Sequence, residues 1–353
     1  GGYGERGEKL KILVTGGAGY IGSQVVLDLC RRGDEPVVLD NLSRGHQEAV
    51  VRASLSGGRF IRGDVADRRL VEGILREEEI EAVIHLAADS LVGESTENPG
   101  KYFRNNICGG LALLDAMVAA GVKKIIFSST AAVYGEPSII PIPEDHPLQP
   151  ANPYGLSKLT FEGMLAAYAR AYGLNYISLR YFNAAGADPE GKIGEDHRPE
   201  THLIPLLLQT ALGLREHIQL FGTDYPTFDG TCIRDYIHIA DLSQAHLLAL
   251  DALNRGAAST VYNLGNGNGY SNRHVIETVQ RVTGKEIPVE EAPRRPGDPA
   301  VLVASAEKIR AELGWRPKFP QLEEIIATAW EWHRRHPHGY GERENRQGEG
   351  ENK

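Results

Sequence analysis

Cysteine is scarce in this chain: three residues in 353, Cys30, Cys108 and Cys232, far apart and in no metal-ligand spacing. That excludes a disulfide-stapled extracellular scaffold and a thiolate zinc site, and it suits a reducing cytoplasm. Long apolar runs are lacking as well. The best, Leu203 to Leu214, is interrupted by Gln209 and falls short of the roughly 18 residues a membrane span needs. There is no excess of positive charge, since 38 Lys and Arg face 47 Asp and Glu, for a formal net charge of −9. Such a balance argues against nucleic acid or an anionic membrane as the partner, while a local cation cluster would still take an anionic small molecule. Residues 1–9 lack the apolar core of a signal peptide and read as a flexible leader; the Gly- and Glu-rich stretch 339–353 reads as a disordered tail.

What is present is an alternating rhythm. Lys11 to Thr15, Pro36 to Asp40, Arg59 to Asp64, Ala82 to Ala87, Lys124 to Ser128 and Tyr176 to Tyr181 read as short buried strands. Helices are expected between them, ending near Arg32 and then over Asp67 to Glu79, Pro99 to Ala120 and Pro153 to Tyr172. This order predicts an α/β fold, a Rossmann-type doubly wound parallel sheet over residues 10–183. Past Asn183 the elements shorten and loops carry more Gly, Pro and charge. Helices over Leu203 to Leu214, Ile239 to Leu253, Asn272 to Thr283, Ala306 to Leu313 and Leu322 to Arg335 predict a smaller C-terminal α/β substrate domain, residues 184–338. The segment near 235–255 is the candidate to return to the first domain.

Gly16-x-x-Gly19-x-x-Gly22 follows the first strand and opens the first helix, the context in which a glycine loop lets a pyrophosphate rest on a helix N-terminus. Asp40 closes the second strand roughly 20 residues further on, where a carboxylate receives the adenosine ribose hydroxyls and repels a 2′-phosphate. NAD is therefore expected over NADP, with nearby Arg44 the one contrary residue. Gly63-Asp64-Val65 serves equally well as an adenine contact or a plain strand-end turn.

Asn152-Pro153 reads as a helix start, with Asn152 capping and Pro153 in the first turn. Tyr154 and Lys158 are then i and i+4 on one face. A nearby ammonium and the positive helix end both favour a phenolate, so the expectation is a tyrosine whose pKa falls below the ordinary ~10 and that serves as a general base.

The glycine spacing together with Tyr-x3-Lys resembles the extended short-chain dehydrogenase/reductase family, and the longer string of motifs is similar to its nucleotide-sugar 4-epimerases. The carriers run from Leu10 to about Gly339. They are Thr15-Gly-Gly-Ala-Gly-Tyr-Ile-Gly-Ser23, Asp40-Asn41-Leu42, His85-Leu-Ala-Ala-Asp89 through Ser95, Phe127-Ser-Ser-Thr130 through Gly135, and Pro153-Tyr-Gly-Leu-Ser-Lys158. Arg180-Tyr-Phe-Asn183, Tyr225 through Gly230, Arg234 through His238, Tyr262-Asn-Leu-Gly265 and Ala292 through Asp298 continue the series. The resemblance implies Tyr154 as base, Lys158 as its partner and Thr130 as the catalytic hydroxyl. It implies cofactor contacts at Gly16, Gly19, Tyr20, Ile21, Gly22, Asp40, Asn41, Asp64, Val65, Leu86, Ala87, Ala88, Asn105, Ser128 and Tyr181, with Tyr154 and Lys158 also touching the nicotinamide end. For the nucleotide sugar it implies Thr130, Tyr154, Asn183, His202, Leu203, Phe221, Arg234, Arg295 and Asp298. Three positions depart from the best-known bacterial pattern: Ser90 replaces a cofactor-contacting lysine, His202 a sugar-contacting asparagine, and Leu302 a tyrosine that can restrict the sugar pocket.

The implied activity is interconversion of UDP-galactose and UDP-glucose in galactose metabolism. Hydride leaves sugar C4 for a retained NAD, a 4-keto sugar forms, and hydride returns to the opposite face. Some tolerance of UDP-N-acetylhexoses is expected from Leu302. A homodimer through helices 99–120 and 153–172 is implied by the family, and no metal is expected. Two other readings stand beside this one. A 4,6-dehydratase or a UDP-uronate or pentose enzyme on the same fold would want acidic residues after Thr130, where this chain has Ala131-Ala132. A non-catalytic NAD sensor would be expected to lose the tyrosine or the lysine. His85 reads as a packing histidine, and His333, His336 and His338 as an incidental cluster without the carboxylate or thiolate that would complete a metal site. Trp315, Trp330 and Trp332 read as core or interface.

Overall fold

The computed structural model describes residues 9–54 and 58–341; of the expected leader (1–9) and disordered tail (339–353), residues 1–8 and 342–353 lie outside the described residues, while within 339–341 the Tyr340 hydroxyl is hydrogen-bonded to the Gly194 backbone. The strands are β1 (Lys11–Thr15), β2 (Glu35–Asp40), β3 (Arg59–Arg62), β4 (Ala82–His85), β5 (Lys124–Ser128), β6 (Asn175–Arg180), β7 (Asn183–Ala185) and β8 (Ile218–Phe221). They continue with β9 (Ile233–Arg234), β10 (Tyr236–His238), β11 (Thr260–Asn263), β12 (Tyr270–Ser271), β13 (Val289–Ala292) and β14 (Val301–Leu302). Helices are α1 (Tyr20–Arg31), α2 (Gln47–Ala53), α3 (Arg68–Glu77), α4 (Val92–Glu97), α5 (Pro99–Tyr102) and α6 (Gly109–Ala120). The later ones are α7 (Pro153–Tyr172), α8 (Leu203–Ala211), α9 (Ile239–Asn254), α10 (Asn272–Thr283), α11 (Glu307–Leu313) and α12 (Leu322–Arg335).

Successive strand residues point to opposite faces, and both faces are apolar. Ile12, Val14, Ile84 and Ile126 enter one core with the inner faces of α1 and α9; Leu13, Val83, Ile125 and Phe127 enter the other with α3, α6 and α7. The result is a seven-stranded parallel sheet in the order β11-β6-β5-β4-β1-β2-β3, a doubly wound Rossmann-type α/β fold. Its strand order reverses between β1 and β4, so the crevice at their carboxyl ends is where a ligand belongs.

The seventh strand, β11, comes from beyond the β7 turn, and α9 packs across α1 with Leu242, Ala245, Ala249 and Leu253 in the same core as Val25 and Leu29. The remaining C-terminal elements make small sheets: β10 with β7, β12-β9-β14, and β13 with β8. Their own core gathers α8, α10 and α12 around Leu207, Val279, Ile325 and Ile326. Trp315 and Trp332 are fully buried, as packing residues.

Candidate active site

The turn between β1 and α1 is tight enough that side chains would destroy it. Gly16 has φ +72°, and a Cβ there would lie 2.7 Å from the Ala87 nitrogen; one on Gly22 would lie 2.1 Å from the Gly16 carbonyl oxygen. Thr15 Oγ1 accepts hydrogen bonds from the Leu86 and Ala87 N–H groups at 3.2 and 3.3 Å, which joins the ends of β1 and β4 and sets Ala88 beside the loop. Gly19 is the N-cap of α1, and no side chain caps that helix. The first N–H groups, those of Tyr20 and Ile21 among them, thus face the crevice end as an anion cradle.

Asp40 ends β2 buried, accepting from the Ala18 N–H at 3.0 Å and the Leu42 N–H at 2.8 Å. A carboxylate has about four acceptor directions, so it can brace the loop and still receive a ribose diol. Asn41 Nδ2 donates to Asp64 Oδ2 at 3.3 Å, and Asp64 also takes the Ala66 N–H at 2.9 Å beside buried Val65. Arg44 donates to Glu94 Oε1 at 3.1 Å, and Lys101 reaches the same oxygen at 2.8 Å. With Arg44 held by Glu94 and a carboxylate at the diol position, the pocket suits NAD. Ser90, by contrast, is exposed and offers no charge.

The helix expected over 99–120 is not uniform. Residues Phe103–Cys108 form a π-helical turn between α5 and α6. Asn105 Nδ2 donates to Asp89 Oδ2 at 2.6 Å, while Asn106 Nδ2 donates to the Asp89 carbonyl and to Ser157 Oγ at 3.1 and 2.9 Å. Such turns concentrate at functional sites because they reposition side chains within a helix. This one ties the loop after β4 to α7.

Asn152 caps α7 as the sequence predicts, its Oδ1 accepting from the Gly155 N–H at 2.8 Å, with Pro153 in the first turn. Lys158 is buried one turn beyond Tyr154; its Nζ donates to the Ser128 carbonyl at 2.9 Å and lies 4.9 Å from the Phe127 ring centroid. Thr130 accepts from the Ala132 N–H at 3.1 Å and hydrogen-bonds the Tyr154 hydroxyl. Ser128 Oγ and the Tyr181 hydroxyl are 2.6 Å apart. All five expected residues therefore gather at the carboxyl end of β5.

One expectation is corrected here. Burial pushes the Tyr154 phenol above its ordinary value, against the pull of the Thr130 hydrogen bond. Desolvation of the phenolate outweighs the one hydrogen bond that favours it. Lys158 itself is pushed down to about 8 by burial, against the pull of Glu162 and Asp89. His85 Nδ1 lies 2.6 Å from Thr15 Oγ1 and burial pushes its pKa down to about 3, so it is a neutral packing group.

On the other wall, Asn183 Nδ2 donates to the Asp235 carbonyl at 3.4 Å, and Leu203 begins α8. The Arg295 guanidinium sits 4.9 Å over the Phe221 ring and donates to Asp298 at 3.0 Å, which assembles three expected residues into one group. Arg234 on β9 pairs in register with Leu302 on β14. Leu302 packs against Ala131, Val133 and Tyr134, the short helix that directly follows Thr130. Arg294 is turned aside, lying 4.3 Å over Tyr225 and bonded to Asp224 at 2.7 Å.

His202 is engaged differently from the other expected contacts, its Nδ1 lying 3.0 Å from Glu195 Oε1. The sequence reading missed Glu195, His197 and Glu200, whose signal is the compact run Glu195-Asp-His-Arg-Pro-Glu-Thr-His202. His333, His336 and His338 do not gather: His333 is buried and His336 stacks on Trp332 at 3.9 Å. Also missed was Glu162, a buried carboxylate that receives Ser129 Oγ at 2.6 Å and the Arg180 guanidinium at 2.5 Å.

A model of the NAD dependent epimerase/dehydratase family matches residues 12–265. The chain is 55% identical over 331 residues to the UDP-glucose 4-epimerase of Halalkalibacterium halodurans, covering 94% of this chain and 98% of that one. Its fold superposes with a TM-score of 0.91 on a crystal structure of a UDP-glucose 4-epimerase, 52% identical over 94% of this chain and 100% of that chain. A second crystal structure, of the Brucella ovis UDP-glucose 4-epimerase in complex with NAD, superposes with a TM-score of 0.88 at 46% identity, over 91% and 98% of the two chains.

Proposed function

The chain belongs to the NAD dependent epimerase/dehydratase family, and from that premise we propose that it interconverts UDP-glucose and UDP-galactose at C4 of the hexose, with NAD as cofactor. The observation that carries this reading is the Tyr154–Thr130 hydroxyl pair beside buried Lys158, set at the mouth of a glycine cradle that ends in Asp40. Purified protein should turn UDP-galactose into UDP-glucose with no added reductant. Tyr154→Phe should cut turnover by ~10²–10⁴-fold and keep its dinucleotide. A Tyr154→Phe chain as active as the parent would overturn the assignment.

In this mechanism the Gly16–Gly22 loop and the start of α1 hold the pyrophosphate, Asp40 and Asn41 the adenosine ribose, and Asp64 and Val65 the adenine. Lys158 and Tyr181 border the nicotinamide end. The chemistry bound NAD supplies is reversible acceptance of a hydride from sugar C4. Tyr154 Oη takes the C4 hydroxyl proton and Thr130 hydrogen-bonds the same oxygen. The Lys158 ammonium stabilises negative charge as the phenol loses its proton, which its own depressed pKa permits only below about 8. Arg234 and Arg295 neutralise the diphosphate, with Asn183, His202, Leu203, Phe221 and Asp298 around the nucleotide sugar. Ala131 and Ala132 carry no proton donor, which favours epimerisation over dehydration.

The proposal divides the chain into a cofactor unit built on residues 10–183 and a nucleotide-sugar unit built on 184–338, with 235–255 lying against the first. It extends to acceptance of UDP-N-acetylhexoses, because Leu302 brings neither a ring nor a hydroxyl to the wall beside Thr130. A homodimer is proposed through α6 and α7, whose Leu111, Val118, Leu156 and Tyr172 are exposed apolar side chains. A place in galactose metabolism in a reducing cytoplasm accords with that substrate and with three cysteines that form no disulfide among the described residues. No helix among the described residues is long and apolar enough to cross a membrane.

A further inference from the structure

The loop between β7 and α8 gathers four donor atoms around one point, three of them from residues that the proposed epimerase chemistry does not use. Glu195, His197, Glu200 and His202 each offer one atom, and all four atoms lie within 4.8 Å of one another. His202 Nδ1 is 3.0 Å from Glu195 Oε1 and 3.8 Å from Glu200 Oε1. His197 Nδ1 is 3.4 Å from Glu195 Oε1 and 3.6 Å from Glu200 Oε2. Ligand atoms placed ~2.0–2.1 Å from a tetrahedral zinc are spaced ~3.3–3.4 Å from one another. The four measured separations bracket that spacing.

Hydrogen bonding alone does not explain the arrangement. Of these four contacts only His202 to Glu195 has full hydrogen-bond geometry; His197 Nδ1 is buried between the two carboxylates at ion-pair distance from each. Glu200 Oε1 already accepts from the N–H groups of Thr201 and His202, each at 3.0 Å, which leaves Oε2 toward His197. Both carboxylate side chains are only 4% exposed. Once both imidazoles give up their protons to ligate, the two desolvated carboxylates carry a charge that one divalent cation cancels.

The loop is also braced from outside, as a preformed site requires. Trp332 Nε1 donates to the Glu195 carbonyl at 3.2 Å, and the Tyr340 hydroxyl lies 3.1 Å from the Gly194 nitrogen it accepts from. The His197 ring meets the Tyr20 ring edge-on, 5.9 Å between centroids.

We propose that Glu195, His197, Glu200 and His202 form a structural zinc site. Four protein ligands close the coordination sphere, so the metal fastens rather than reacts, and a nitrogen–oxygen donor set without thiolate suits zinc, with cobalt as a spectroscopic substitute. Its place couples the loop leading into α8, and hence Leu203, to Tyr20 at the start of α1.

The test uses full-length protein stripped with EDTA and titrated with zinc sulfate against a chromophoric chelator. One zinc per chain, an upward shift of the thermal midpoint on loading, and the intense visible bands of tetrahedral cobalt in its place are expected. His197→Gln should weaken zinc binding by at least roughly tenfold and remove the thermal shift. His202→Asn gives the same readout if that variant does not fold. His338→Gln, outside the cluster, should bind zinc as the parent does. No saturable uptake by the stripped parent, or both cluster variants binding zinc as tightly as the parent, overturns the site.

Discussion

The Glu162 carboxylate and the Arg180 guanidinium are joined inside the protein by three hydrogen bonds, of 3.2, 3.1 and 2.5 Å. Glu162 lies one turn beyond Lys158 on α7, Arg180 ends β6, and Ser129 beside Thr130 donates to the same carboxylate at 2.6 Å. The pair therefore ties both arms of the Tyr154–Thr130 hydroxyl pair to the sheet. Glu162→Gln leaves a buried guanidinium without its counter-charge, and a loss of roughly 3–5 kcal/mol in unfolding free energy is expected. Urea denaturation measures it; a change below 1 kcal/mol would show that the pair is not a fastening.

Lys158 carries a built-in cost. Burial holds its pKa at about 8, against 10.5 for an ordinary lysine, so between those values the native state binds fewer protons than the unfolded chain. Stability from this group therefore rises with pH across that window and is lost as pH falls through about 8. At neutral pH the buried ammonium costs on the order of 3 kcal/mol. Lys158→Met should be more stable than the parent at pH 7 by about 2 kcal/mol, after the Ser128 carbonyl loses its donor, yet nearly inactive. Parallel stability curves from pH 7 to pH 10 for parent and variant would refute this account.

Under the proposed function, Leu302, packed against the short helix after Thr130, limits the width of the sugar pocket. Leu302→Tyr should lower turnover of UDP-N-acetylglucosamine relative to UDP-glucose by at least about tenfold, the discrimination a pocket gains from one misfitting group. Competing the two substrates and comparing kcat/KM decides it. No detectable turnover of the acetylated sugar by the parent chain removes the premise.

The exposed leucines of α6 and α7 predict a second copy. Sedimentation velocity should give a dimer for the parent and a monomer for a Leu111→Glu, Leu156→Glu double variant. A parent that sediments as a monomer at micromolar concentration rejects the interface.

Much of this molecule is readable from local pattern. Short apolar runs, a glycine loop and an Asn-Pro helix start depend on neighbours in sequence, and β1 to β6, α1 and α7 appear where those signals lie. The sequence is silent where distant residues decide. Nothing near Thr260 announces that β11 completes the first sheet, since strand pairing is a tertiary choice. The π-helical turn at Phe103–Cys108 follows from what Asn105 and Asn106 must reach, not from propensity. Tyr154 and Lys158 share a face as their spacing requires, yet Nζ donates to the Ser128 carbonyl, and burial, a tertiary outcome, sets the upward sign of the phenol's shift. Glu195 through His202 is legible as a spacing of donors, but only the tertiary fold of the loop turns all four toward one point.

The late arrival of β11 has a consequence during synthesis. A ribosome delivers six strands of the sheet well before the seventh, and until then β6 presents a bare edge of unpaired amides beside the apolar floor that α9 will cover. The half-made protein is thus stickier than the finished one, and its chief hazard in the cell falls in the interval between translating Arg180 and translating Asn263.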